Sequence, residues 1–362
     1  MMKGALLALL AFIPGSALAG DLAELAGRLE REPTVVHVSG GGRQVGILTL
    51  PRKRLLDSIE VEDGERPLLE NRWLKAVSGT GDEAIPVFDD FRARNVFYYL
   101  SEGRRYFEAL GAAMPGRQVL VRIGQQTEYN LVSHFGERDR RNNARYIPAH
   151  YAGRWGPEIW FHPPRDRFDW ARFALGGLGF LKAPPPLAAA QAALGALAAY
   201  HPGSDYALDP GVIVHEAFHW VTDRGGQFPA RPGGDPVSED YANYFVSSWM
   251  GMPRIAVVAP PARDFSTVRP VRASGRKLEY NSTGFVPALF WEIRRRIGQV
   301  AADRLIWSSM RHLGDRPLHT RIAGAVLASA RHLEFPSERV AELERLLDSH
   351  VESLKNLDTI LH

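Results

Sequence analysis

The chain of 362 residues contains no cysteine. Disulfides, thiolate metal ligands and a cysteine nucleophile are thereby excluded, and any transition-metal site must be assembled from His, Asp and Glu. Long hydrophobic runs are also missing. The apolar stretch at 5–13 is too short to cross a bilayer, and the Ala- and Leu-rich stretch at 173–200 is interrupted by Lys182 and by the prolines at 184–186. No membrane span is expected, and residues 173–200 read as helix packed on the core. Charge of one sign is scarce too: 44 basic residues stand against 41 acidic ones, for a net charge of +3. The clusters RDRRNNAR (138–145) and RRR (294–296) read as solvated faces, so nucleic acid is not expected as a partner. There is no internal repeat. The three glycines at 40–42 lie in a turn between two strand-like runs, without the strand-to-helix context of a phosphate loop.

What remains is ordinary globular composition, 45% hydrophobic and 23% charged, in a chain long enough for one or two lobes. Its first 19 residues read as a cleaved export signal: Lys3 as basic region, 5–13 as apolar core, and Ala17-Leu18-Ala19 as the cleavage pattern. The mature protein is expected to be secreted or periplasmic.

Periodicity gives a coarse layout. Residues 34–50 read as two strands, and 51–92 as charged and irregular. A helix over 95–110 ends at Gly111, and strands are expected at 118–123 and 158–164. From Asp209 onward the pattern is all-helical, with helices near 210–223, 237–250, 285–297, 299–312, 318–332 and 336–355.

One stretch carries chemistry: VIVHEAFHWVTD, 212–223. Asp209 is a good N-cap and Pro210 suits the first helical position, so a helix starts just ahead of it. Four-residue spacing puts His215 and His219 on one face. Apolar residues occupy nearly the whole circumference, which marks a buried helix. Two histidines and Glu216 inside it need partners, because unpaired buried polar groups cost roughly 1–3 kcal/mol. Zinc supplies one, but a catalytic zinc takes a third protein ligand and leaves a position for water. Nineteen residues, a Gly- and Pro-rich loop among them, separate His219 from Glu239, which lies near the start of the next helical pattern. Asn243, one turn later on the same face, would orient a ligand histidine. Asp240 points elsewhere, and nothing selects among His312, His319, His332 and His350.

HEAFH followed by Glu239 at this spacing resembles the thermolysin-like gluzincin metallopeptidases, with fungalysin-like similarities. Three further segments run in that family's order over roughly 95–310. NVFYYLSEGRRYFEALG resembles the helix preceding the catalytic sheet. NNARYIP resembles the Asn-Asn-Ala-x-Tyr segment beside the substrate-binding edge strand, and YNSTGFVPALFWEI resembles a later segment and its helix. Two positions depart from the family. Asn243 stands where the family has Asp, and Tyr280 stands where it has a histidine that stabilises the transition state.

The resemblance implies an α+β, two-lobed thermolysin-like fold. Residues 20–92 would form N-terminal strands or a reduced pro-region, 93–208 the N-terminal catalytic lobe with its mixed sheet, and 209–362 the active-site helix and helical C-terminal lobe. It implies an exported zinc endopeptidase acting on peptide or protein substrates through a zinc-bound water. One zinc would be held by His215, His219 and Glu239, with Glu216 as general base and Tyr280 supporting the oxyanion. Asn142, Asn143 and the backbone of Ala144 would bind substrate. Two alternatives stay open: a secreted zinc-containing binding protein with a degenerate site, and an aminopeptidase, although no acidic group for capturing a substrate amino terminus can be identified.

Overall fold

The computed structural model describes residues 34–38, 45–49, 74–78, 91–113, 119–123, 144–148, 157–162, 167–168, 200–201, 205–224, 235–255, 263–271, 284–315 and 317–361. The export signal, the Ala-rich segment before Tyr200, Asn142, Asn143 and Tyr280 lie outside the described residues.

The chain is a mixed helix-and-strand protein in which a small mixed sheet precedes a C-terminal helical region. Strands β1 (Thr34–Val38) and β2 (Val45–Thr49) pair antiparallel, as the sequence of 34–50 implies. The main sheet has the order β3-β4-β6-β5, built from β3 (Leu74–Ser78), β4 (Val119–Ile123), β5 (Ala144–Ile147) and β6 (Glu158–Phe161). The first three strands in that order run parallel, and β5 closes one edge antiparallel to β6, with Tyr146 opposite Ile159. β4 and β6 carry nearly continuous burial instead of alternation, as expected for strands covered on both faces. Two-residue strands β7 (Arg167–Phe168) and β8 (Tyr200–His201) pair separately.

β3 lies inside the stretch whose sequence reads as irregular. LKAVS is short and has no clean alternation; its pairing with β4, forty-odd residues later in the chain, makes it a strand.

Helix α1 (Phe91–Ala109) crosses α2 (Pro210–Arg224) closely at Gly103, where a Cβ would sit 3.3 Å from Ala217 and Val214 side-chain carbons. Phe107, Phe218, Phe245 and Trp307 then interlock as ring pairs 5.5–6.4 Å apart, joining α1, α2, α3 (Pro236–Met250) and the later helix at Gln299–Ser309 in one core. α4 (Phe285–Ile297), α5 (Gln299–Ser309), α6 (His319–His332), α7 (Ser337–Asp348) and α8 (Val351–Leu361) complete the helical region.

Two details differ from the helical pattern. Short strands β9 (Arg254–Ile255) and β10 (Arg263–Asp264) pair after α3, where the sequence reads as all helix. The single helix expected over 336–355 is broken between α7 and α8. Leu347 and Leu354 are both buried and two turns apart, so the apolar period passes through the break unchanged. Ser349 ends α7 by donating its hydroxyl to the Leu346 carbonyl, a local bond that competes with helix propagation. Among the described residues no helix is long and apolar enough to cross a membrane.

Candidate metal centre

Helix α2 begins where its capping residue dictates. Asp209 is fully buried, and its Oδ1 accepts the backbone N–H groups of Gly211 and Val212 at 2.9 and 3.3 Å. Helix α3 begins the same way. Asp235 Oδ1 accepts from Val237 and Ser238, with Pro236 in the first helical position. The two caps place His215 and His219 opposite Glu239.

The functional atoms of these three residues converge. His215 Nε2 lies 3.0 Å from Glu239 Oε2, His219 Nε2 lies 3.2 Å from Glu239 Oε1, and the two Nε2 atoms are 3.1 Å apart. Two nitrogens and a carboxylate oxygen, each mostly buried, form a group able to hold a metal ion. Ligand bonds of about 2.0–2.1 Å in a tetrahedron imply ligand–ligand separations of roughly 3.3 Å, close to those seen here. The Nε2–Nε2 distance fits an N–H···N bond between the two rings as well as two lone pairs directed at one cation. The donor set therefore suits zinc, though it is not specific to it.

The opposite ring nitrogens differ. His219 Nδ1 lies 3.3 Å from Ser238 Oγ, on the residue just before Glu239. Among the described residues His215 Nδ1 is buried with no hydrogen-bond partner, and so is Asn243 Oδ1. One is a donor in the tautomer that ligates through Nε2, and the other is an acceptor on the helix facing it.

Glu216 is buried among apolar neighbours on α2. Burial pushes its carboxyl above the ordinary glutamate range, against the opposing charges of His215 and His219 and a hydrogen bond from the Tyr146 backbone N–H. Burial works on Glu239 in the same direction, but the charges of His219 and His215 and their hydrogen bonds outweigh it and hold that carboxyl well below its ordinary value. On His219, burial is in turn outweighed by Glu239, which raises its pKa.

Tyr146 belongs to β5, whose first residue is Ala144; among the described strands β5 has one partner, β6. Its hydroxyl donates to Asp223 Oδ2 on the last turn of α2 at 2.7 Å. The edge strand is thus fastened to the helix that carries His215, Glu216 and His219.

Of the residues singled out in the sequence, His215, His219, Glu239 and Glu216 meet here, Asn243 sits one turn behind Glu239, and Ala144 starts the adjacent strand. Asn142, Asn143 and Tyr280 lie outside the described residues. Three participants were not singled out: Ser238, Tyr146 with Asp223, and His319, which lies against Asp240. For Ser238 a signal existed, since it directly precedes the metal-ligand candidate. The other two arise from contacts across 77 and 79 positions of chain. No protein-family model and no curated protein matches this chain.

Proposed function

We propose that this protein is an exported, zinc-dependent endopeptidase with the two-lobed thermolysin-like organisation that its motifs resemble. The observation that carries the reading is the meeting of His215 Nε2, His219 Nε2 and the Glu239 carboxylate beside a second, buried carboxylate, Glu216. The position of β5 supports it further: among the described strands it pairs with β6 alone, beside Glu216, and an extended peptide can add to a strand edge through main-chain hydrogen bonds.

His215, His219 and Glu239 would hold the metal, Ser238 would fix the ring of His219, and Asn243 would accept from His215 Nδ1. When bound, the metal supplies Lewis acidity that lets water act as a nucleophile near neutral pH. Glu216 takes the proton released from that water and delivers it to the leaving amine. A carboxylate whose pKa is raised by burial suits both halves of that task, since it accepts and returns a proton with little free-energy mismatch. The Tyr146 backbone N–H keeps the Glu216 carboxylate oriented between uses. Ala144 and its strand would align the substrate backbone, and Tyr280 would donate to the developing oxyanion.

The test is paired: zinc content and hydrolysis of a broad peptide library by the mature protein and by Glu216→Gln. One zinc per chain in both, with hydrolysis confined to the unsubstituted protein, supports the reading. Zinc without hydrolysis in either would favour a binding protein with a degenerate site, and release of single amino-terminal residues alone would favour an aminopeptidase.

A further inference from the structure

Four consecutive residues at the start of α3 are each fastened. Ser238 Oγ reaches His219 Nδ1, and Glu239 meets both histidine Nε2 atoms. Asp240 Oδ2 lies 3.1 Å from His319 Nε2, and the Tyr241 hydroxyl is 2.8 Å from Ser309 Oγ. The bond at Asp240 continues beyond its first partner. His319 opens α6 and is wholly buried, and its other ring nitrogen, Nδ1, lies 2.9 Å from Asp358 Oδ1 on α8.

Asp358 has a second task. It accepts the backbone N–H groups of His319 and Thr320 at 2.8 and 2.9 Å, the first donors of α6, whose own cap residue Leu318 offers no side-chain acceptor. The C-terminal helix is thereby locked onto the start of α6, and His319 onto the carboxylate that locks it.

A neutral imidazole has a single N–H and cannot donate to two carboxylates. Between Asp240 and Asp358 the ring is therefore an imidazolium. The trio then carries one net negative charge, and the mostly buried Asp240 faces an opposite charge. Burial disfavours the charged ring, but the bonds to Asp240 and Asp358 outweigh it and carry the His319 pKa up to about 9.

We infer that His319 is a positioning residue for the metal centre: backed by Asp358, it clamps Asp240 and so fixes the rotation of α3 that aims Glu239 at His215 and His219. Glu239 and Asp240 lie about 100° apart around one helix, so a rotation that releases one displaces the other. The C-terminal helix is then part of the site. This inference rests on the metal-centre reading given above.

The measurement is the zinc dissociation constant, by chelator competition on the full mature chain, beside the melting temperature of the metal-free protein. His319→Gln removes the charge and is expected to weaken zinc by about tenfold or more, as for other groups behind a metal ligand. Asp358→Asn keeps an oxygen for the α6 cap and is expected to weaken zinc in the same direction by less. It carries the test if His319→Gln does not fold. Leu357→Ala, a buried α8 residue outside the trio, serves as the control for simple destabilisation. It should lower the metal-free melting temperature while leaving zinc affinity within about twofold. The inference is overturned if zinc affinity in both trio variants stays within about twofold of the unsubstituted chain, or if Leu357→Ala weakens zinc as much as they do. Absence of zinc binding by the unsubstituted chain would overturn the metal-centre reading itself, and this inference with it. That failure is recognisable because no substitution is involved.

Discussion

Tyr146 is tied to helix α2 at two points: its backbone N–H reaches the Glu216 carboxylate, and its hydroxyl donates to Asp223 at 2.7 Å. The two bonds lie on either side of His219 and set the distance between the edge strand and the helix that carries His215 and His219.

Tyr146→Phe removes the second tie and leaves the first. Asp223 is partly exposed and water can replace the hydroxyl, so the cost in stability should be about 1 kcal/mol. On the endopeptidase reading, zinc content stays at one per chain while KM for an extended peptide rises several-fold. Steady-state kinetics beside metal analysis checks both. A loss of zinc would show that the bond serves the metal helix instead of the strand.

Ser238→Ala frees the Nδ1 side of His219 without touching an atom of the three-residue cluster. Zinc should bind about tenfold more weakly, with little change in the fold. Chelator competition and far-ultraviolet circular dichroism separate the two effects. Unchanged affinity would mean that the 3.3 Å contact is incidental.

His319 predicts a pH dependence of stability. Its folded pKa is raised from 6.5 to about 9, so the trio's contribution is fully present below about 6.5 and is lost as pH climbs through 9. Asp358 is shifted the other way: burial is outweighed by the bonds from His319 and Thr320, so its contribution is lost only on strong acidification. A rise from 6.5 to about 9 corresponds to something on the order of 3 kcal/mol. Urea midpoints at pH 6 and pH 10 should therefore fall more steeply for the unsubstituted protein than for His319→Gln.

Asp303 is a buried hub on α5. Its Oδ1 accepts from the Tyr244 and Ser248 hydroxyls at 2.7 and 2.6 Å, and its Oδ2 from the Tyr106 hydroxyl at 2.9 Å. Asp303→Ala leaves three hydroxyls without that acceptor, at about 1–3 kcal/mol for each that stays dry. A loss of more than about 3 kcal/mol in denaturant unfolding is expected. A loss under about 1 kcal/mol would show that water enters the gap.

The readable part of this protein is local. A histidine pair four residues apart, an Asp–Pro cap and an apolar circumference are all set within one 15-residue helix, and α2 forms at Pro210–Arg224 as those signals require. The helical pattern after Asp209 and the strands at β4 and β6 were legible for the same reason, because burial imposes a period on neighbouring residues. β3 escaped because its strand character comes from its partner. The break between α7 and α8 escaped because the apolar period runs through it.

The site divides along the same line. The sequence by itself determined which helix carries the histidines, where it starts, and that Glu216 and Glu239 are the acidic groups within reach of it by spacing. Only the tertiary structure decided that Glu239 meets both Nε2 atoms, that Tyr146 bridges β5 and α2, and that His319, and not His312, His332 or His350, stands between Asp240 and Asp358. The physical reason is range. Hydrogen-bonded helical turns and apolar periods act over a few residues and leave a mark in the order of amino acids. A buried charge, by contrast, is satisfied by whichever opposite group the packing of distant elements delivers, and here those partners lie 39 and 79 positions away from His319.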